Sequence, residues 1–159
     1  HGPCYLRFGR PKWPVFTDPN QKFEIGKAWT IQEGTDVTIF ATGHLVWKAM
    51  EAANELEQQG LSVELINIHT IKPLDDAAIL KSAAKTGCVV TAEEHQMNGG
   101  LGDSVCQLLA RNTPTPVEMV AVNDQFGESG KPEQLLDKYG LGTVDIVNAV
   151  QKVIARKNG

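Results

Sequence analysis

A carboxylate beside an imidazole, at the end of an apolar run, is the arrangement in this chain best suited to chemistry. Glu93-Glu94-His95 follows Cys88-Val-Val-Thr-Ala92, a run short and apolar enough for a parallel strand buried on both faces. Parallel sheets keep their sites at the carboxyl ends of their strands, and a carboxylate–imidazole pair can transfer a proton. The same residues also suit a polar loop that hydrogen-bonds its own turn or a neighbouring domain. With Asn98 close behind, Glu93, His95 and Asn98 form a candidate ligand or interface loop that could hold a small anion.

Cations gather elsewhere. Arg7 and Arg10 stand close together with Lys12 nearby, and the planar fork of arginine grips a phosphate through two charge-assisted hydrogen bonds. Ordinary surface charge is the alternative. Glycines at 99, 100 and 102 open a helix, where backbone N–H groups can approach an anion. They do not spell GxGxxG, and no acidic residue follows at the distance a dinucleotide site needs, so close helix packing accounts for them better. Gly127-Glu-Ser-Gly-Lys131 looks like a phosphate loop only superficially, since Pro132 stands where Mg²⁺ coordination needs Ser or Thr. His1, His44, His69 and His95 lack the spacing that puts two on one metal, and no GxSxG nucleophile turn occurs. Cys4, Cys88 and Cys106 are odd in number and widely spread, which predicts reduced thiols, with 88 and 106 packing as small apolar groups.

The elements that must position these residues follow from periodicity. Residues 4–8 read as a strand, and Pro11, Pro14 and Pro19 then mark a linker. Lys27 to Glu33 and Val37 to Ala41 read as a hairpin turning at Gly34. Thr42 is placed to cap a helix carrying Leu45, Ala49, Ala52, Ala53 and Leu56, stopped by Gly60. A strand at 63–68 follows, then a helix capped by Asp75 and ended by Gly87. After the strand at 88–92 come a helix from the glycine cluster, a strand at 117–122, a short helix with Pro132 in its first turn, and a last helix capped by Thr143. That helix turns Ile146, Val150, Val153 and Ile154 inward and has Lys152, Arg156 and Lys157 near its negative end. Such alternation predicts an α/β fold: a three-layer α/β/α domain on a mainly parallel, mixed sheet of about five strands.

Length and composition set the frame. The 159 residues suit one domain plus a tail, and 42% apolar with 21% charged residues is ordinary for a packed globular chain. A net charge of −4 with dispersed cations argues against nucleic acid. No apolar run reaches the roughly 20 residues of a membrane span, and no leader is visible at the start. A cytoplasmic protein is the expectation. The chain begins His-Gly-Pro rather than with Met, which a truncation would explain.

Several stretches together resemble the transketolase family: residues 5–11, Tyr-Leu-Arg-Phe-Gly-Arg-Pro; Ala41-Thr-Gly-His; Asn67-Ile-His-Thr-Ile-Lys-Pro-Leu-Asp75; Ala92-Glu-Glu-His-Gln-Met-Asn-Gly-Gly-Leu-Gly102; and Phe126-Gly-Glu-Ser-Gly-Lys-Pro-Glu-Gln-Leu-Leu136. The Glu-His-Gln and Gly-Gly-Leu-Gly details are similar to animal-type and two-subunit microbial transketolases. The resemblance implies that residues 1–22 end a pyrimidine-binding domain and its linker, and that 23–159 form the C-terminal domain. It implies a parent enzyme that uses thiamine diphosphate and Mg²⁺ to move a two-carbon ketol unit from a ketose phosphate to an aldose phosphate. The family's cofactor ligands lie on other domains, and Gly102-Asp103 continues here with Ser104, so this fragment is expected to bind no cofactor or metal and to be inactive alone. Its expected partners are the remaining domains or an N-terminal subunit, in a homodimer acting on phosphorylated sugars. Arg10 takes the position of the family arginine that holds the substrate phosphate, with Arg7 a lesser candidate. The C-terminal domains of 1-deoxyxylulose 5-phosphate synthase and of 2-oxo acid dehydrogenase beta subunits, and an independent small-anion-binding module, are the alternatives.

Overall fold

A computed structural model describes residues 2–9 and 12–159. Five strands, β1 (Trp29–Gln32), β2 (Val37–Ala41), β3 (Val63–Asn67), β4 (Val89–Gln96) and β5 (Val117–Val122), form one sheet in the order β1-β3-β2-β4-β5. β3, β2, β4 and β5 run parallel, and β1 is an antiparallel edge on β3. Five helices connect and cover them: α1 (Leu45–Gln58), α2 (Asp76–Thr86), α3 (Leu101–Asn112), α4 (Pro132–Lys138) and α5 (Thr143–Asn158). This is the three-layer α/β/α arrangement with a five-stranded mixed sheet.

Strand alternation divides the core in two. Val37, Ile39, Val63, Leu65 and Val90 face α1 and α5, meeting Ala49, Leu56, Ile146 and Val150. Phe40, Ile66 and Val89 face the other way, onto Ile79 of α2 and Leu101, Val105 and Leu109 of α3. Because successive side chains point to opposite faces, Thr38 and Glu64 also lie on the α2 side. Glu64 is buried there, accepting from Thr38 and Ser82 and pairing with Lys85 at 2.5 Å. A carboxylate can be held in a core only when it is paired and hydrogen-bonded in this way.

Four features differ from what the sequence predicts. Residues 4–8 form no strand: Tyr5, Leu6 and Phe8 are exposed, and no strand lies beside them among the described residues. Residues 27–33 and 37–41 do not make a hairpin, because β3 lies between β1 and β2. The connection crosses tightly over the start of β3, with Thr35 and Asp36 donating to the Ser62 carbonyl, and a Cβ on Gly34 would stand 2.1 Å from the Val63 backbone. Thr42 and Thr143 do not cap their helices. Thr42 N–H instead continues the sheet by donating to Ala92, and Gly43 turns the chain at φ +60° into α1. Thr143 is already helical and donates to Glu51, while Asp145 accepts from the Gly142 N–H. The strand expected at 88–92 runs on to Gln96 and takes in Glu93, Glu94 and His95.

Other signals hold. Asp75 caps α2 by accepting from Ala78 N–H at 3.2 Å, and its second oxygen accepts from Ala28 N–H just before β1. Gly87 ends α2 at φ +72°. The three cysteines are free thiols, and burial raises the pKa of both Cys88 and Cys106, which favours the inert thiol.

Glu118 on β5 accepts from Lys152 at 2.7 Å and Arg156 at 2.6 Å on α5. Burial alone would raise its pKa, but the hydrogen bonds from these two cations hold it below the ordinary carboxylate value. The stabilisation from Glu118 should therefore be present above the ordinary glutamate pKa of about 4.3 and lost as pH falls through the lower folded value. Urea unfolding of wild type and Glu118→Gln across this range should show a stability gap at neutral pH that closes in acid; a constant gap would mean the ion pairs contribute nothing.

Candidate functional site

The carboxyl ends of the parallel strands form the edge on which the candidate residues meet. Alternation along β4 puts Glu93 on the same face as Val89, beneath the start of α3. Glu93 is 3% exposed, and its two carboxylate oxygens accept from the N–H groups of Leu101 and Gly102, each at 2.8 Å. These are the first-turn donors that a helix leaves unpaired, and a negative charge there also opposes the helix dipole. The anion position that the glycine cluster suggests is thus filled by the chain's own carboxylate.

The glycines are required by this contact. A Cβ on Gly100 would stand 2.2 Å from a Glu93 oxygen, and one on Gly102 would stand 2.7 Å from Met119 Sδ. Gly99 turns at φ +82°, and its N–H donates to Asp103 at 2.6 Å. Asp103 is therefore engaged in its own turn, and the glycine cluster does not fit a bound diphosphate. Among the described residues, no three His, Cys, Asp or Glu side chains cluster to hold a metal.

Glu93 is buried while His95 and Asn98 are exposed, and no hydrogen bond joins them among the described residues. His95 Nδ1 accepts from Gln96 N–H. Arg7 is exposed on the segment before Trp13, and Arg10 lies outside the described residues. No helix among the described residues is long and apolar enough to cross a membrane.

The structure brings together residues that periodicity did not single out. His44, at the end of β2, lies with Nδ1 2.6 Å from a Glu94 oxygen, and Trp13 stacks on its imidazole with ring centres 4.6 Å apart. Phe23 lies 4.6 Å from the ring of His69, just beyond β3, and Phe16 stacks on Trp29. The proline-spaced segment is thus laid across the carboxyl edge by three aromatic contacts. A histidine one to three residues beyond the end of each of two parallel strands was the signal in the sequence, by the same rule that drew attention to His95.

Removing the Glu93 contact tests its role. Glu93→Ala would leave the Leu101 and Gly102 N–H groups buried without a partner, and should cost about 1–3 kcal/mol; Gly100→Ala, which displaces the carboxylate, should cost about the same by overpacking. Urea unfolding checks both, and the double variant should cost less than the sum, because both changes break one contact.

Comparison with known proteins agrees with this geometry. Residues 26–146 match the family model for the transketolase C-terminal domain. A 6-deoxy-6-sulfo-D-fructose transketolase subunit from Clostridium sp. is 46% identical over 99% of this chain and 49% of the relative. Transketolase-like protein 2 of Homo sapiens is 40% identical over 94% of this chain and 24% of its own length. A solved split-gene transketolase, described as an inactive β4 tetramer, superposes with a TM-score of 0.88 at 46% identity, covering 91% of this chain and 47% of that one. A transketolase from Pichia stipitis shares the fold, with a TM-score of 0.62 at 17% identity. The chain spans about half of the split relatives and about a quarter of the human one. With most of its length inside the matched domain, the chain belongs to the transketolase C-terminal domain family.

Proposed function

We propose that this chain serves as the C-terminal part of a thiamine-diphosphate-dependent ketol transferase, packed against the domain or subunit that carries the cofactor. The observation that carries this reading is the 46% identity, over nearly the whole chain, to part of a transketolase subunit. In the parent, the two-carbon unit would pass from a ketose phosphate to an aldose phosphate. The carbanion chemistry is the cofactor's, and protein domains orient it. Glu93 and the glycines of α3 take a structural part, holding the carboxyl edge in shape. A structural role also agrees with the split-gene relative's description as inactive in its β4 form. Self-association, as in that tetramer or as a homodimer, is the expected context.

Substrate contact belongs to Arg10 in this reading, with Arg7 secondary. A charge-assisted contact to a sugar phosphate contributes about 1.5–3 kcal/mol. In the assembled enzyme, Arg10→Ala should lower kcat/KM for phosphorylated sugars by about one to two orders of magnitude. A nonphosphorylated ketol donor should be nearly unaffected, and Arg10→Lys should recover only part of the loss because it lacks the fork. Equal damage to both donor classes would assign Arg10 to the cofactor site or to domain geometry instead.

The division of labour is tested separately. Assayed without the cofactor-binding portion, the chain should show no ketol transfer and no heat of binding with thiamine diphosphate and Mg²⁺; adding that portion should restore transfer. Transfer by the chain alone would overturn the reading.

A further inference from the structure

Asn98, which the sequence places in a candidate ligand or interface loop, has no part in the ketol-transfer reading. We propose that it is a site of spontaneous covalent modification. The Gly99 backbone nitrogen attacks the Asn98 side-chain carbonyl, with the Asp103 carboxylate as base, and the asparagine is converted to aspartate and isoaspartate. This inference is independent of the ketol-transfer reading, because it uses neither Arg10 nor the parent's cofactor.

The residue that follows an asparagine decides whether its nitrogen can reach the side chain. Asn-Gly occurs twice in the chain, at 98–99 and 158–159, and every other asparagine precedes a residue whose Cβ crowds the attacking nitrogen. Asn98 and Gly99 are both exposed in the turn between β4 and α3, with Gly99 at φ +82°. A base distinguishes this pair. Gly99 N–H donates to Asp103 Oδ2 at 2.6 Å, a short charge-assisted contact. The N–H lies in the peptide plane, whereas the nitrogen attacks through a face of that plane, so the contact leaves the attacking face open. Asp103 is half-buried and held in the first turn of α3, which keeps its carboxylate beside the nitrogen.

The bond from Gly99 nitrogen to Asn98 Cγ forms as Asp103 takes the amide proton. The bond from Cγ to Nδ2 then breaks, and that proton leaves with the nitrogen as ammonia. Water opens the resulting five-membered imide at either carbonyl, giving aspartate, or isoaspartate with the main chain rerouted through the former side chain. One water is consumed, one ammonia is released, and nothing is oxidised or reduced. The turn is tied on both sides: Met97 N–H donates to the Val122 carbonyl at 2.9 Å, and Glu93 holds the N–H groups of Leu101 and Gly102. Isoaspartate inserts an extra main-chain carbon between these anchors and disturbs the joint that starts α3, whereas aspartate adds only charge near Asp103.

The full-length protein, incubated at neutral pH and physiological temperature and followed by peptide mass spectrometry, should accumulate acid at position 98. Asp103→Asn keeps an oxygen to accept from Gly99 N–H but removes the base, and should slow conversion at Asn98 about tenfold or more. Conversion at Asn158, beside Lys157 at the amino-terminal edge of the sheet, should keep its wild-type rate. The isoaspartate form, separated by its added charge, should unfold at lower urea than Asn98→Asp, which carries the charge on an unlengthened main chain. Equal rates at Asn98 in wild type and Asp103→Asn would overturn the proposal, and so would faster conversion in the variant, which would make Asp103 a clamp against attack. Wild type that stays amidated at position 98 after Asn158 has converted would also overturn it. Should Asp103→Asn fail to fold, Asp103→Ser, with a shorter acceptor and no base, takes its place with the same expectation.

Discussion

The two hydrogen bonds that Leu101 and Gly102 donate to the Glu93 carboxylate determine how β4 passes into α3. β4 lies between β2 and β5, so its exit fixes where α3 lies over the sheet, and α3 supplies much of the apolar surface on that face. The contact sets three sequence requirements at once. Position 93 must bring an acceptor with two oxygens, position 100 must leave room for it, and position 102 must admit Met119 and Thr91 closely. It also turns a helix amino terminus that would attract a foreign anion into a closed joint.

A second carboxylate works on the same face towards the opposite edge. Glu64 receives Thr38 and Ser82 and pairs with Lys85, which also reaches Glu33 beyond β1. Thr38 further contacts Thr86, so one polar cluster joins β2, β3 and both ends of the last turns of α2. Buried networks of this kind contribute little net stability but penalise any packing that leaves a member unpaired. The layer covered by α2 and α3 thus has two buried acids at its polar joints, whereas in the α1 and α5 layer the polar contacts, Thr143 with Glu51 and Glu118 with Lys152 and Arg156, lie at the margin of an apolar core.

The sequence made the layered fold readable because the crossovers carry their own punctuation: Asp75 and Gly87 around α2, Pro132 at the start of α4, and the short, mostly apolar run of β3 between α1 and α2. Strand pairing was less readable. Gly34-Thr-Asp36 has the composition of a hairpin turn, and only the position of β3, fixed by contacts far along the chain, shows that it is a crossing. Caps failed where a threonine had a stronger tertiary use, as Thr143 has with Glu51. Glu93 was found as a residue of interest, but its direction depends on strand parity relative to α3, and periodicity over five apolar residues does not supply that. His44 and His69 were visible only as isolated histidines, since their aromatic partners lie in a segment without regular structure.

Lys157, in the last turn of α5, donates to the carbonyls of Thr86 and Asp36, the latter 121 positions earlier. It seals the amino-terminal edge of the sheet just before β2, while α5 covers the apolar stripe of α1. In a chain made from its amino end, α1 is therefore synthesised about a hundred residues before α5, the helix that packs beside it on the sheet. During translation this stripe is an exposed adhesive face, and the domain depends on its last helix for protection from misassembly as much as for stability.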